Sequence, residues 1–120
     1  MPFAFEKLLV YQKAVDFADQ ATALAEQFPR GFGYLADQLC RASLSISANI
    51  AEGNGRFTKA ERKNFFGIAR GSVQECVPLL AVARRRGLLD AVAHDKLKSA
   101  LEEIARMLSG LIKGLDKRDT

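Results

Sequence analysis

The sequence predicts an all-α fold, a single up-down-up-down antiparallel four-helix bundle over residues 1–120. Apolar residues recur at steps of three and four through four segments, as in helices that bury one face. Alanine and leucine dominate these segments, β-branched residues are few, and the chain has only three prolines. The loops between the segments are short, so consecutive helices are expected to be antiparallel neighbours. A length of 120 residues suits one domain.

The first predicted helix covers about residues 5–28. Its apolar positions form two adjacent seams, which together give the wide apolar face of a bundle helix. One seam consists of Leu8, Tyr11, Val15, Ala18, Thr22 and Ala25, and the other of Ala14, Phe17, Ala21, Leu24 and Phe28. Pro29 and Gly31 follow and are expected to end the helix.

The second predicted helix covers about residues 34–52 and is crowded with small and polar side chains. Asn49 falls where the period requires an apolar residue, and Ser45 lies one turn before it. Small side chains predict a close approach between two helices. Gly53 and Gly55 are expected to end the helix, with either of them in the left-handed conformation.

The third and fourth predicted helices cover about residues 59–86 and 90–115. Thr58 and Glu61 form a capping-box pattern before the third helix, and Gly87 is expected to end it. The fourth helix has the most regular heptad pattern of the chain, formed by Leu97, Leu101, Ile104, Leu108, Leu111 and Leu115.

Charge, cysteine content and the expected lack of long apolar runs limit the classes of protein to which this chain can belong. The net charge of +4 and the pI near 9.3 permit nucleic-acid binding without requiring it. Cys40 and Cys76 lie beside apolar residues in helical patterns, and we expect both to be reduced and packed in the protein. We also expect no apolar run long enough to span a membrane, and the N-terminus lacks the features of a signal peptide. These observations predict a cytoplasmic protein.

The sequence contains no recognisable catalytic or metal-binding pattern. His94 is the single histidine, and no nucleophile or carboxylate is patterned around it. The cysteines lack metal-ligand spacing, and Glu-x-x-His pairs of di-iron bundles do not occur. The Gly53–Arg56 segment is not a phosphate loop, because no Gly-Lys-Ser/Thr sequence follows it. We therefore predict no catalytic residue, no metal and no cofactor, and a protein that is not an enzyme.

A structural polar seam is predicted between the second and third helices. Its members are Asn49, Glu52, Ser72 and Glu75. Buried asparagine often fixes the register of helical assemblies at some cost in stability, and this role is favoured over direct ligand contact. Arg41 is expected to pair with Glu75, and a partly exposed pair of this kind contributes little.

Basic residues cluster around the start of the third helix. From Arg56 to Lys63 four basic residues face one glutamate, a net charge of +3. The neighbouring amides at a helix N-terminus also attract phosphate, and Phe57 offers a ring on which a base can stack. A solvated surface explains such a run equally well. The predicted nucleic-acid contacts are Arg41, Arg56, Lys59, Arg62, Lys63, Arg70, Arg84, Arg85 and Arg86.

The chain resembles a family of small four-helix-bundle proteins encoded within intervening sequences of bacterial large-subunit ribosomal RNA genes. The resemblance covers most of the chain, and its most specific block is Asn49-Ile-Ala-Glu-Gly53. The other matching residues are Phe5-Glu-Lys-Leu, Tyr11-Gln-Lys-Ala14, Phe28-Pro29, Leu35-Ala-Asp-Gln38, Arg41-Ala42, Ser45-Ile46, Gly55-Arg56, Gly71-Ser72 and Glu75. Ser47 departs from a frequent proline, and Cys76 departs from a frequent glutamate.

The resemblance implies a ring-like homo-oligomer, with a pentamer as the expected stoichiometry. The related accessory variability proteins of diversity-generating retroelements are pentameric barrels that bind nucleic acid and a reverse transcriptase. Two functions follow as hypotheses. The first is a non-enzymatic homo-oligomer that binds nucleic acid, with RNA favoured over DNA. The alternative is an adaptor or scaffold ring that binds a protein partner and has no role with nucleic acid.

Overall fold

The computed structural model describes residues 2–117 and confirms the all-α bundle. A short 3₁₀ turn, Ala4–Lys7, precedes helices α1 (Leu9–Glu26), α2 (Gly33–Asn54), α3 (Lys59–Arg85) and α4 (Ala91–Lys117). Helix α1 packs against α2, α2 against α3, and α3 against α4, and α4 returns to α1. Within residues 2–117 the diagonal pairs, α1 with α3 and α2 with α4, have no Cα atoms within 8 Å of each other. The bundle measures 51 × 27 × 20 Å, so its long axis follows the helices.

The first helix begins later than its apolar pattern predicts. Leu8 is extended, with φ −72° and ψ 126°, and it separates the 3₁₀ turn from α1. The Glu6 carboxylate accepts a hydrogen bond from the Phe3 amide at 2.8 Å, and the Phe5 ring meets Tyr11 edge-on with centroids 5.0 Å apart. These contacts fold the N-terminal turn onto the bundle and account for the break in a segment predicted to be one helix.

The buried core follows one stripe on each helix. On α1 it is built from Ala14, Phe17, Ala18, Ala21 and Ala25, together with Val10, whereas Val15 of the predicted seam is exposed. The alanines bring the neighbouring helices close to the α1 axis. On α4 the predicted heptad is buried at every position except Leu111, which is half-buried.

The ends of α3 follow the sequence prediction. The Thr58 hydroxyl accepts a hydrogen bond from the Glu61 amide at 3.1 Å and donates one to the Glu61 carboxylate at 2.9 Å. At the other end, Gly87 has φ +76°, and the Leu88 amide donates to the Ala83 carbonyl at 2.9 Å. This 6→1 bond, with a left-handed glycine before it, is a Schellman motif.

The expectation that Gly53 or Gly55 adopts the left-handed conformation is wrong. Among residues 2–117 the glycines with positive φ are Gly31 and Gly87. Gly53 lies inside α2 and is fully packed, because a Cβ atom there would lie 2.9 Å from the Phe66 ring and 3.0 Å from the Phe65 Cβ. Glycine is therefore required at position 53 by the approach of α3, not by its backbone angles.

The expectation that no apolar run is long enough to span a membrane is wrong for α3. An 18-residue window of this 27-residue helix has a mean hydropathy of 1.2, and 33% of the window is buried within the bundle. Helices in the core of globular proteins have the same length and composition. In this structure the buried stripe of α3 packs against α2 and α4.

Candidate nucleic-acid interface

A chain of hydrogen bonds joins α2 to α3 at the predicted polar seam. The Asn49 amide group donates to the Ser45 carbonyl at 2.8 Å and to the Ser45 hydroxyl at 3.0 Å. The hydroxyls of Ser45 and Ser72 lie 2.9 Å apart, and Ser72 donates to the Ile68 carbonyl at 3.2 Å. Since a hydroxyl has one hydrogen, Ser45 is the donor to Ser72. The bond between helices is thus made by Ser45, and Asn49 orients it.

Glu52 and Glu75, the other two residues of the predicted seam, lie outside this chain of hydrogen bonds. Glu75 receives a hydrogen bond from Arg41 across the α2–α3 surface, which is the pairing that the sequence suggested. Glu52 is exposed and pairs with Arg56, four residues later in the α2–α3 loop, at 2.9 Å. The predicted seam is therefore one partly buried hydrogen-bond chain flanked by two ion pairs at the surface.

The predicted basic residues do not lie on one surface of the protomer. Arg56, Lys59, Arg62 and Lys63 lie at the end of the bundle that holds the α2–α3 loop. The Arg84–Arg86 run lies at the opposite end of α3, which has 27 residues and is therefore about 40 Å long. Arg41 and Arg70 lie between these ends on α2 and α3.

Arg56 is surrounded by groups that offset its charge. Its guanidinium lies 2.9 Å from the Glu52 carboxylate and 3.9 Å from that of Glu61, and its Cζ atom is 4.6 Å from the centre of the Phe65 ring. The Arg56 carbonyl accepts a hydrogen bond from Arg62 Nε at 2.7 Å. The loop end therefore carries less uncompensated charge than its sequence predicts.

Three polar contacts cross from α3 to α4, with successive contacts seven and fourteen residues apart on each helix. They join Lys63 to Asp116 at 2.6 Å, Arg70 to Ser109 at 2.8 Å, and Arg84 to Asp95 at 4.0 Å. The spacing matches the repeat of two antiparallel helices packed at a shallow angle. The hydrogen bond from Lys63 holds the pKa of Asp116 below its usual range. Arg70 is the member of the series that faces a neutral group.

Several of the predicted cations have no carboxylate partner. Within residues 2–117 these are Arg62, Arg70, Arg85 and Arg86. Phe57, the predicted stacking residue, has 97% of its surface exposed. It lies at the loop end beside the basic residues, where a base would have access to its ring.

Comparison with known proteins identifies the family. The family described as 23S rRNA-intervening sequence protein matches residues 6–110. The chain belongs to this family. A crystal structure of a protein of unknown function from the S23 ribosomal protein family, from Bacteroides thetaiotaomicron, is similar with a TM-score of 0.82 and 23% identity. The similarity covers 88% of this chain and 99% of that chain, and at this identity it shows the shared fold. A search of curated proteins found no match.

Two cavities open at the loop end of the bundle. The larger, about 740 Å³, is lined by Phe3, Phe5 and Phe57 together with Arg56 and its two glutamates. The second, about 470 Å³, lies between α1 and α4 and is mainly apolar, with Arg62 among its lining residues. Among residues 2–117 no cluster of three or more metal-ligating side chains occurs.

The histidine and the cysteines are separate from these cavities. His94 lies in the first turn of α4, and its Nδ1 atom is 3.2 Å from Asp95. Both thiols are free, with Cys40 half-buried and Cys76 buried. Burial raises the pKa of the Cys76 thiol to about 12, and the neighbouring Glu75 carboxylate adds to the effect. This group is a neutral packing residue at physiological pH.

Sequence reasoning missed two basic residues of α4. Arg106 and Lys113 line a cleft with Arg70 between α3 and α4. The two residues are seven positions apart and flank Gly110, so they lie on one face of a helix. That spacing was visible in the sequence, but the cation that completes the group comes from another helix, which only the packing of α3 against α4 supplies.

Proposed function

We propose that this protein is a non-enzymatic, homo-oligomeric nucleic-acid-binding protein of the cytoplasm, with RNA favoured over DNA as its ligand. The observation that carries the proposal is the excess of cations over carboxylate partners on the described surface, with Arg62, Arg70, Arg85 and Arg86 unpaired. A net positive charge with unpaired arginines suits a phosphate backbone, which binds through Lys and Arg contacts independent of sequence.

The ion pairs at the loop end are compatible with this proposal. Arg56 and Lys63 are partly exposed, and exposed pairs contribute at most about 1 kcal/mol. A phosphate that approaches either cation therefore displaces a weakly held carboxylate. The exposed Phe57 ring adds a surface for stacking, worth about 1–3 kcal/mol per base where it occurs.

Homo-oligomerisation is supported by exposed apolar residues on α2 and α3. Leu44 is 54% exposed, Ile68 45% and Val82 41%, and Ile68 and Val82 lie seven positions to either side of Glu75. A second copy that covers this surface would bury apolar area and enclose the Arg41–Glu75 pair. The expected pentamer would multiply each protomer's cations and raise affinity through multivalent contact.

The alternative adaptor function is favoured by the aromatic residues at the loop end. Phe3 and Phe57 are both exposed, and they line the same cavity as Arg56. Aromatic and arginine side chains are enriched in protein interfaces. Reversal of charge at Lys59 and Arg62, which do not line this cavity, separates the two functions, because it should weaken nucleic-acid binding and leave capture of a protein partner intact.

Titration of labelled structured RNA at several salt concentrations tests the proposal. We expect binding at 50 mM salt and a linear loss of log affinity with log salt concentration, because each phosphate contact releases counterions with a slope of about 0.7–0.9. A parallel titration with duplex DNA of equal length measures the expected preference for RNA. Absence of binding at low salt, or affinity that ignores salt, would contradict the proposal.

A further inference from the structure

The cleft between α3 and α4 contains three cations and no acidic side chain. It has a volume of about 320 Å³ and is lined by Arg70, Ala105, Arg106, Ser109, Gly110 and Lys113. Arg70 belongs to α3, whereas the other residues belong to α4. Of the three polar contacts between α3 and α4, the middle one, from Arg70 to Ser109, therefore lies in a concave surface.

The charges in this cleft are uncompensated. Within residues 2–117, Arg70, Arg106 and Lys113 form no ion pair with a carboxylate. The nearby acidic residues of α4 are engaged elsewhere or lie outside the lining: Asp116 pairs with Lys63, Glu103 pairs with Lys13 of α1, and Glu102 does not line the cleft. Three like charges around one concave surface repel one another, and an anion would remove that cost.

The Arg70 side chain is already positioned for a ligand. Its Nε atom donates to the Ser109 hydroxyl at 2.8 Å, which fixes the guanidinium on the α4 surface. The terminal amino groups keep their hydrogens for another acceptor, and guanidinium geometry matches a phosphate through paired hydrogen bonds. Arg106 and Lys113 lie two turns apart, about 10 Å along α4, so together the three cations span more than one small anion.

Gly110 lines the cleft and has no side chain. No atom lies within 4 Å of the position that its Cβ would occupy, so close packing does not require glycine here. Glycine in a helix interior costs about 1 kcal/mol relative to alanine. A glycine leaves the helix backbone accessible to a ligand, and this is a reason for glycine at position 110 that packing does not supply.

We propose that the α3–α4 cleft formed by Arg70, Arg106 and Lys113 binds the phosphate backbone of the nucleic acid. This inference rests on the proposed function and assigns its principal contact to a surface different from the α2–α3 loop. The loop cations Arg56 and Lys63 are held by carboxylates, whereas the cleft cations face one another across an open surface. The ligand is recognised by its phosphates, so the cleft does not discriminate sequence.

Two triple variants with equal changes in charge test the assignment. The cleft variant is Arg70→Gln, Arg106→Gln and Lys113→Gln, and its control is Arg30→Gln, Lys96→Gln and Lys98→Gln, three exposed residues towards the opposite end of the bundle to which no nucleic-acid contact is assigned. Both remove three positive charges and thus the same long-range attraction. In the RNA titration, the cleft variant should lose at least tenfold in affinity at 50 mM salt and show a shallower salt slope, by about 0.7 for each lost contact. The control should stay within about threefold of the unmodified protein.

The outcomes separate this assignment from the proposed function. Equal losses in both variants, a loss in the control alone, or no loss in the cleft variant would overturn the assignment to the cleft while RNA binding by the unmodified protein still stands. Failure of the unmodified protein to bind would overturn both. Arg106 is exposed, so the single variant Arg106→Gln provides the same comparison if the triple variant shows reduced helicity by circular dichroism.

Discussion

At position 53, the contact between α2 and α3 determines which amino acid can be present. The glycine is buried, and the ring of Phe66 and the Cβ of Phe65 occupy the space next to its Cα. The same residue type at Gly67 of α3 has no atom within 4 Å of the Cβ position. Substitution by alanine is therefore expected to have opposite effects on stability at Gly53 and Gly67.

Gly53→Ala is expected to lower the free energy of unfolding by about 1–3 kcal/mol, because an added methyl in a packed interface forces the neighbours to move. Gly67→Ala is the matched control and should raise it by about 0.5–1 kcal/mol, since alanine is the better helix former and the site is open. Urea denaturation followed by circular dichroism measures both. A neutral or stabilising Gly53→Ala would contradict the contact.

The two thiols differ in their surroundings. Cys76 is fully buried beside Glu75, and its pKa is raised to about 12 because the thiolate would lose its hydration. Cys40 is half-buried, and its pKa is raised in the same direction by burial and by Asp37. Thiol reagents react with the thiolate, so the burial of Cys76 and its raised pKa should both make it less reactive than Cys40.

A disulfide-exchange reagent at pH 8 should label Cys40 in the folded protein and leave Cys76 unlabelled until the protein is denatured.

The raised pKa of Cys76 also means that, as the pH rises, the thiol loses its proton in the unfolded chain before it does so in the folded protein. Stability should therefore fall as the pH rises from 9 towards 12, by up to about 1.4 kcal/mol per pH unit, and less steeply in Cys76→Ala. Mass spectrometry measures the labelling, and labelling of Cys76 in the folded protein at the rate of Cys40 would refute the labelling prediction.

At the scale of elements, the α2–α3 contact depends on small side chains and one hydrogen-bond chain. Ser45 and Ser72 allow the helix backbones to approach, and Asn49 directs the Ser45 hydroxyl towards α3. The proposal that Asn49 fixes register gains a mechanism, because its effect on α3 passes through Ser45. The asparagine itself bonds only within α2.

A double-mutant cycle of Ser45→Ala and Ser72→Ala should give a coupling energy of about 0.5–1.5 kcal/mol, which is the net contribution of one partly buried hydrogen bond. Ser47→Ala serves as the control in combination with Ser72→Ala, because the Ser47 hydroxyl bonds only to the Leu44 carbonyl of its own helix. Chemical denaturation of the single and double variants supplies the four energies. Additive effects for Ser45 and Ser72 would show that the bond contributes nothing.

At the scale of the whole molecule, the exposed apolar residues of α2 and α3 are expected to form the surface between copies. The double variant Leu44→Lys and Ile68→Lys should convert the proposed oligomer to a monomer, because it places uncompensated charges in an apolar interface. Val92, exposed near the start of α4, is the control position for the same change. Light scattering coupled to size-exclusion chromatography gives the mass, and an unchanged mass in the double variant would exclude this surface.

Much of the fold follows from sequence pattern. The four helices were predicted because their apolar residues repeat with the helical period, and Thr58 and Gly87 marked two ends through local chemistry that operates within a few residues. The break at Leu8 and the role of Gly53 were not predicted. The role of Gly53 depends on Phe66 of another helix, whereas the break at Leu8 accompanies side-chain contacts within residues 3–11 that the apolar period does not show.

The candidate site was less accessible to sequence reasoning. The sequence by itself determined the fold class, the family and the supply of basic residues, because periodicity and residue type are properties of neighbouring positions. Only the tertiary structure decided which charges are offset, as for Arg56 with Glu52 and Lys63 with Asp116, and which converge, as for Arg70 with Arg106 and Lys113. The physical reason is that electrostatic interaction depends on distance in space, and antiparallel packing brings α3 against a part of α4 that lies about 40 residues later in the chain.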